Sequence, residues 1–250
     1  TVSGTSITFG SEVVFESASS DNISIGFDSS NNKVVIAYRD EGNSDYGSAI
    51  VGTVSGTSIS FGTAVVFESA GTVQTSTIFD SSSNKVVIAY QDAADNNRGT
   101  AIVGTVSGTS ISFGSAVQFE TGIADEIEAV FDSTNNKVVI SYKLLHSNHG
   151  KSIVGTVSGT SISFGSSVTF NAASTHGIST VFDSTNNKVV IVYEDRGDSD
   201  KGKFIVGTVS GTSISFGTAS AFSGSNAVFQ TGTTFDSNAN KVVIAYANDT

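Results

Sequence analysis

Apolar and polar residues alternate along this chain in short bursts, never in a helical rhythm. Thr5-Ser6-Ile7-Thr8-Phe9 sets every second residue on the same side, a period of two that belongs to a strand. Lys33-Val34-Val35-Ile36-Ala37-Tyr38 is instead a near-continuous apolar run, as expected of a strand buried on both faces. Ile25-Gly26-Phe27-Asp28 and Ala49-Ile50-Val51-Gly52-Thr53-Val54 add two more strands. Turn formers separate these runs. Asp28 is placed to cap the turn Ser29-Ser30-Asn31-Asn32 with its side chain, and Gly4 supplies the positive φ of a tight hairpin. No stretch of ten residues carries a 3.6-residue period, so no helix is predicted.

The same strands recur five times. The pentapeptide TVSGT, or the start that matches it, falls at Thr1, Thr53, Thr105, Thr156 and Thr208, giving periods of 52, 52, 51 and 52 residues. Four antiparallel strands in about 50 residues, repeated radially, make a propeller blade. The predicted fold is therefore all-β, a five-bladed β-propeller forming one domain over residues 1–250. The strand ending at Phe27-Asp28 is predicted to be innermost, and Phe61, Phe67 and Phe79 of the second cycle to pack between blades. Only four full third strands occur, so one blade is predicted to be closed by both termini, with Thr1-Val2 the stub of its third strand.

Comparing the repeats with one another locates function. Nearly all substitution and both length changes, one between Ser223 and Thr233 and one among Leu144–Gly150, fall in two connections. These join the fourth strand to the next first strand, and the second strand to the third. In an up-and-down blade both lie on the same face, and loops on a rigid scaffold are where recognition usually resides. The five Asp of the FDS turns and the five Lys of the NKVVI strands cancel on the opposite, constant face. The variable face then holds the net charge of −11, which disfavours nucleic acid and anionic membrane as partners.

Within that face the predicted ligand contacts are, in the first repeat, Asp21, Asp40, Glu41, Asn43, Asp45 and Tyr46. The second contributes Asp92, Asp95 and Arg98, and the third Glu126, His146 and His149, with His176 in the connection that leaves it. The fourth contributes Asp195, Arg196, Asp198 and Asp200. The oxygen-rich loops Asp40–Asp45, Asp92–Asn97 and Asp195–Asp200 are of the kind Ca²⁺ prefers, but none has the spacing of an EF-hand, so no metal site and no cofactor are predicted. The three histidines read as exposed loop residues. Asp125, Glu126 and Glu128 are the carboxylates closest to a glycosidase arrangement, with Asp21 their nearest counterpart on another blade. No matching acid recurs elsewhere, and no catalytic residue is assigned.

Cys is absent, which removes disulfides and thiol chemistry, and Met is absent, which points to a processed chain or a part of a longer polypeptide or virion. No apolar run reaches the length of a membrane helix, so no membrane insertion is predicted.

The segments SGTSISFG, FDSSNNKVVIAY and GSAIVGTVSG resemble the highly repetitive β-propeller repeat proteins of marine bacteria and their phages. The resemblance covers the whole chain and implies a β-propeller without implying an activity. In architecture the chain is similar to the tachylectin-type five-bladed lectins, whose sugar-binding motifs it does not match. The expected function is accordingly a non-catalytic recognition or adhesion module, not an enzyme. It would be a monomeric ring, extracellular or on a virion surface, binding a glycan or a cell-surface protein through its acidic variable face. The alternatives are a structural element of a fibre, spike or surface layer, and a glycoside hydrolase-like enzyme.

Overall fold

The computed structural model describes residues 2–224 and 227–249. Thr1, assigned above to a strand stub, and Ser225 and Asn226, within the length change of the last repeat, lie outside them. The chain is an all-β propeller. A hairpin of β1 (Val2–Ser3) and β2 (Ser6–Ile7) is followed by β3 (Ser20–Asp28), β4 (Lys33–Asp40), β5 (Tyr46–Ser55), β6 (Ser58–Phe61) and β7 (Val65–Asp80). Next come β8 (Lys85–Asp92), β9 (Arg98–Ser107), β10 (Ser110–Phe113) and β11 (Val117–Asp132). The third repeat continues with β12 (Lys137–Leu144), β13 (His149–Ser158), β14 (Ser161–Phe164) and β15 (Val168–Asn171). The fourth is β16 (Thr175–Asp183), β17 (Lys188–Asp195), β18 (Lys201–Ser210), β19 (Ser213–Phe216) and β20 (Ser220–Ala221). Last come β21 (Val228–Asp236) and β22 (Lys241–Asn248). The only helical turns among the described residues are short 3₁₀ segments at Glu41–Asn43 and Arg196–Asp198.

Two connections that the sequence presents as variable loops are extended backbone. Gly71 of β7 still pairs with Tyr46 of the preceding blade, while Thr72 already pairs with Asp92 of the next. In β11, Ile123 pairs back to Arg98 and Ala124 forward to Leu144. A single strand therefore serves two blades at each point, because the chain has no unpaired residue in which to form a loop. These crossings join the first three blades into one 13-stranded sheet, and the fourth forms a separate 5-stranded sheet.

The core lies between blades. Val35, Ala37, Ala49 and Val51 of the first blade bury against Val86, Ile88, Tyr90 and Ile102 of the second. Phe67 meets Tyr90 edge-on at 5.2 Å between centroids, and the same pair recurs as Phe119–Tyr142 and Phe170–Tyr193. Phe67 is buried, with Phe79 packed against the same cluster, as the repeat pattern predicts. On the constant face Asp28 accepts hydrogen bonds from the amides of Ser30 and Asn31 at 3.0 and 2.9 Å, and Asp80, Asp132, Asp183 and Asp236 cap their turns in the same way. These turns also bond to one another across blades, through Ser30–Asn84, Thr134–Asn187 and Thr185–Asn240.

The closing blade differs in detail from expectation. Among the described residues β21 and β22 pair only with each other, as do β1 and β2. The reason is register. Val2↔Ile7 and Ser3↔Ser6 reproduce Val54↔Ile59 and Ser55↔Ser58, whereas β4 pairs with Tyr46–Gly52, upstream of those residues. The hairpin corresponds to the part of a third strand that has already passed its neighbour.

Candidate functional site

Each first strand carries a bulge near its start, where the register to the second strand slips between Asp21 and Ser24, Val73 and Ser76, Asp125 and Glu128, His176 and Ser179, and Val228 and Thr231. Asn22, Gln74, Glu126 and Gly177 sit in these bulges at φ of 48°, 52°, 52° and 55°. A bulge re-aims the side chains around it, and here the bulge residues line one cavity. The result is a cavity of about 580 Å³ to which all five first strands contribute, from Asn22 and Ile23 in β3 to Gln230 and Thr231 in β21. Loop amides bond back to these connections, Glu41 to the carbonyl of Ser19 and Ala93 to that of Gly71.

The bulges are linked around the cavity. Asn22 accepts from the amide of Gln74, Gln74 from that of Ile127, and Glu126 from that of Ile178. Glu126 thus stands where its counterparts Asn22, Gln74 and Gly177 are uncharged, and its charge is answered locally. Lys143 Nζ lies 2.7 Å from Glu126 Oε1 and 2.7 Å from Asp125 Oδ2, and His176 Nδ1 lies 3.0 Å from Glu126 Oε1. Burial works against the charge of Asp125, but hydrogen bonds from Lys143 and Gln74 outweigh it and hold the carboxyl below its ordinary range. Burial likewise opposes the charge of Lys143, yet the bonds to Asp125 and Glu126 hold its ammonium above the ordinary lysine range.

Glu128 lines the same cavity and is treated in the opposite way. Its counterparts, four residues before each FDS aspartate, are Ser24, Ser76, Ser179 and Gly232, all small and uncharged. Ser76 and Ser179 accept bonds from the next blade's Ala129 and Thr233 amides, at 3.0 Å each. Among the described residues Glu128 makes no such bond and no ion pair, and burial pushes its carboxyl up to about 7. The neighbouring strand carries the buried, unpartnered hydroxyl of Thr180. Two carboxyl groups two residues apart on β11 thus face one cavity, one ion-paired and one inclined to stay protonated near neutrality. A carboxyl that lines a cavity and is perturbed by burial is a mark of a candidate functional site.

Of the ligand contacts predicted from sequence, the structure brings Glu126 and His176 together at this cavity. Asp21 stands on the first blade as Asp125 does on the third, paired with Arg39 at 3.5 Å. The remaining positions lie in the outer loops, where charges are largely spent on local pairs. Asp45 takes Arg39, Asp95 takes Arg98, Arg196 takes Glu194, and Asp198 takes Lys201 and Lys203. Asp92 caps its own loop through the amides of Ala94 and Asp95, and buried Asp195 bonds Lys203. Asp40 is buried, Glu41, Asn43 and His146 are exposed, Tyr46 and His149 begin β5 and β13, and Asp200 lies at φ 57° in its loop. Among the described residues no group of three or more His, Cys, Asp or Glu is arranged to hold a metal ion, and no helix is long and apolar enough to cross a membrane.

Lys143, Gln74 and Asn22 were missed by reasoning confined to loops. Lys143 had a usable signal, since its counterparts in the other repeats are Arg39, Gln91, Glu194 and Ala247, a strand position that varies inside an otherwise constant frame.

Neither a protein-family model nor a curated protein matches the sequence. Solved structures do match the fold. The exo-β-1,3-galactanase of Phanerochaete chrysosporium, solved with β-1,3-galactotriose, aligns with 91% of this chain at a TM-score of 0.52 and 10% identity. The exo-β-1,3-galactanase of Clostridium thermocellum aligns with 91% at 0.54 and 9%. The chain spans 59% and 54% of those two proteins. At such identity the likeness is one of fold. It nevertheless corrects the expectation of a non-catalytic recognition module that is not an enzyme. Both of these solved structures are exo-β-1,3-galactanases, which leaves the glycoside hydrolase-like alternative as the reading to pursue.

Proposed function

We propose that the chain is a glycoside hydrolase-like enzyme acting at the central cavity, with Glu128 as general acid and Glu126 as the carboxylate that activates water. The observation that carries this reading is Glu128, a carboxyl lining the cavity with its pKa raised by burial to about 7. Glycoside hydrolysis needs one carboxylic acid to protonate the departing glycosidic oxygen and one carboxylate to assist attack at the anomeric carbon. Glu128 supplies the proton. Glu126 accepts one from the attacking water, and its position is set by Lys143, His176 and the Ile178 amide. One glycosidic C–O bond breaks, one C–O bond to water forms, and the proton gained by Glu126 balances that given by Glu128. The amides of Asn22, Gln74 and Gln230 around the cavity suit the hydroxyls of a neutral sugar. A polysaccharide substrate fits an extracellular or virion-surface location.

The test is sugar release from β-1,3-linked galacto-oligosaccharides, with a panel of other neutral oligosaccharides and aryl glycosides beside them. Glu128→Gln should lower the rate on oligosaccharides by about 10²–10⁴-fold. It should lower the rate far less on dinitrophenyl glycosides, whose leaving group needs no proton. No turnover by the unsubstituted chain on any of these substrates would reject the proposal, and so would full activity of Glu128→Gln on oligosaccharides.

A further inference from the structure

We propose that a pocket between the first and second blades is an accessory subsite for one neutral sugar ring, part of a chain whose other end lies in the central cavity. The ligand class rests on the reading of that cavity given above. The pocket measures about 160 Å³ and is lined by Arg39, Asp45, Gly71, Thr72, Val73 and Ala93. Pockets that take a whole ligand run to ~300–1,000 Å³, so this one suits a single ring of a molecule anchored elsewhere.

The space comes from two small residues. At equivalent places in the first four repeats a loop amide bonds to a carbonyl of the connection between blades, and the pairs are Glu41 on Ser19, Ala93 on Gly71, Leu145 on Ile123 and Arg196 on Ser174. Only the second of these pairs is a glycine and an alanine. A Cβ on Gly71 would come within 3.2 Å of that of Ala93, so the two residues face each other. The walls are fixed by the backbone, since the Thr72 amide donates to the carbonyl of Asp45 at 3.0 Å where β7 crosses between blades.

The polar groups suit hydroxyls. Arg39 donates from Nε and Nη2 to Asp45 Oδ1 at 3.1 and 3.0 Å, and its Nη1 lies 3.5 Å from Asp21 Oδ2. A guanidinium has five N–H donors, so these contacts leave some over, and among the described residues Asp45 engages its side chain only through Oδ1. Both side chains are partly exposed. A donor fork beside a carboxylate oxygen matches neighbouring hydroxyls, each of which both donates and accepts. Two carboxylates flank one guanidinium, an excess of negative charge that disfavours an acidic sugar.

A bonded path joins the pocket to the cavity. Asp21 accepts from Asn22 Nδ2 at 2.9 Å, and Asn22 Oδ1 accepts from the Gln74 amide at 3.0 Å. Asn22 and Gln74 line the cavity, while Val73, next to Gln74 on β7, lines the pocket. A sugar chain leaving the cavity past Gln74 therefore meets the pocket next.

The experiment uses the full chain carrying Glu128→Gln, so that bound sugars stay intact, and titration calorimetry with β-1,3-linked galacto-oligosaccharides from monosaccharide to pentasaccharide. Affinity should rise with length by about tenfold or more once the chain reaches the pocket. Gly71→Ile with Ala93→Leu, the pair that stands one blade further on, should cancel that rise and leave the affinity for monosaccharide as it was. Arg39→Gln, which places there the residue found at position 91, should also cancel it without adding bulk; unchanged melting temperatures show that the variants are folded. No rise with length, or a rise that survives both sets of substitutions, would overturn the subsite even where the unsubstituted chain hydrolyses these sugars. A rise that the substitutions cancel upholds it even where no hydrolysis is seen, and then the catalytic reading alone fails. Tighter binding of an oligogalacturonate than of the neutral chain of equal length would overturn the assignment to a neutral ring.

Discussion

Glu128 and Asp125 lie three residues apart on β11, yet they pull stability in opposite directions with pH. The folded carboxyl of Glu128 is raised from an ordinary 4.5 to about 7. The native state therefore holds a proton that the unfolded chain releases, and stability falls as pH rises from about 4.5 to 7. The full difference is on the order of 3 kcal/mol. Glu128→Gln should remove that fall, so the variant should melt higher than the unsubstituted chain at pH 8 and much as it does at pH 4, measured by calorimetry. Asp125 behaves in the reverse sense. Its folded pKa is depressed, so its contribution is present above its unfolded value and is lost as pH falls through the folded one. Lys143→Met leaves two carboxylates without their cation and should cost about 3–5 kcal/mol at pH 7, with the deficit shrinking below about pH 4, read as a change in urea midpoint. If Glu128 is the acid, the rate on oligosaccharides should decline above pH of about 7, where that proton is gone.

At the level of strands and turns, the repeat pattern was informative wherever backbone conformation decides the residue. The hairpin glycines Gly4, Gly56, Gly108, Gly159 and Gly211 all adopt φ near 60°, as a two-residue turn between right-twisted strands demands. The Asp caps and the doubly buried Val-Val-Ile runs were legible for the same reason: local chemistry fixes them. The crossings at Gly71-Thr72 and Ile123-Ala124 were not, because polar, varied residues there resemble loops while their amides are held by strands of two different blades. The site was half legible. Glu126 and His176 stood in varied connections, but the significance of Glu128 rests on burial among neighbouring blades, which no single repeat encodes. Gly114 and Gly217 separate local from inter-blade causes. A methyl group on Gly114 would fall within the carbonyl of Thr160, whereas at Gly217 there is room. Gly114→Ala should cost about 3 kcal/mol, and Gly217→Ala no more than about 0.5 kcal/mol, by chemical denaturation.

Across the whole molecule, protection is unequal. Residues of β8 are buried almost throughout, while those of β22 alternate between half-buried and exposed and end exposed. Amide exchange should therefore be fastest in β21 and β22 and slowest in β8 and β12, in line with local opening where few contacts hold. The strands shared between blades carry a mechanical consequence. β7 and β11 sew three repeats into one sheet, and the fourth and fifth stand outside it. A chain stretched between its ends in a force spectrometer should yield β21–β22 first, in a short rip of about 70 Å, and then the fourth blade, Thr175 to Ala221, in one of about 160 Å. The first three should hold to higher force and then give way together, in one rip about three times as long, because neither β7 nor β11 can be peeled from one blade without loosening the next.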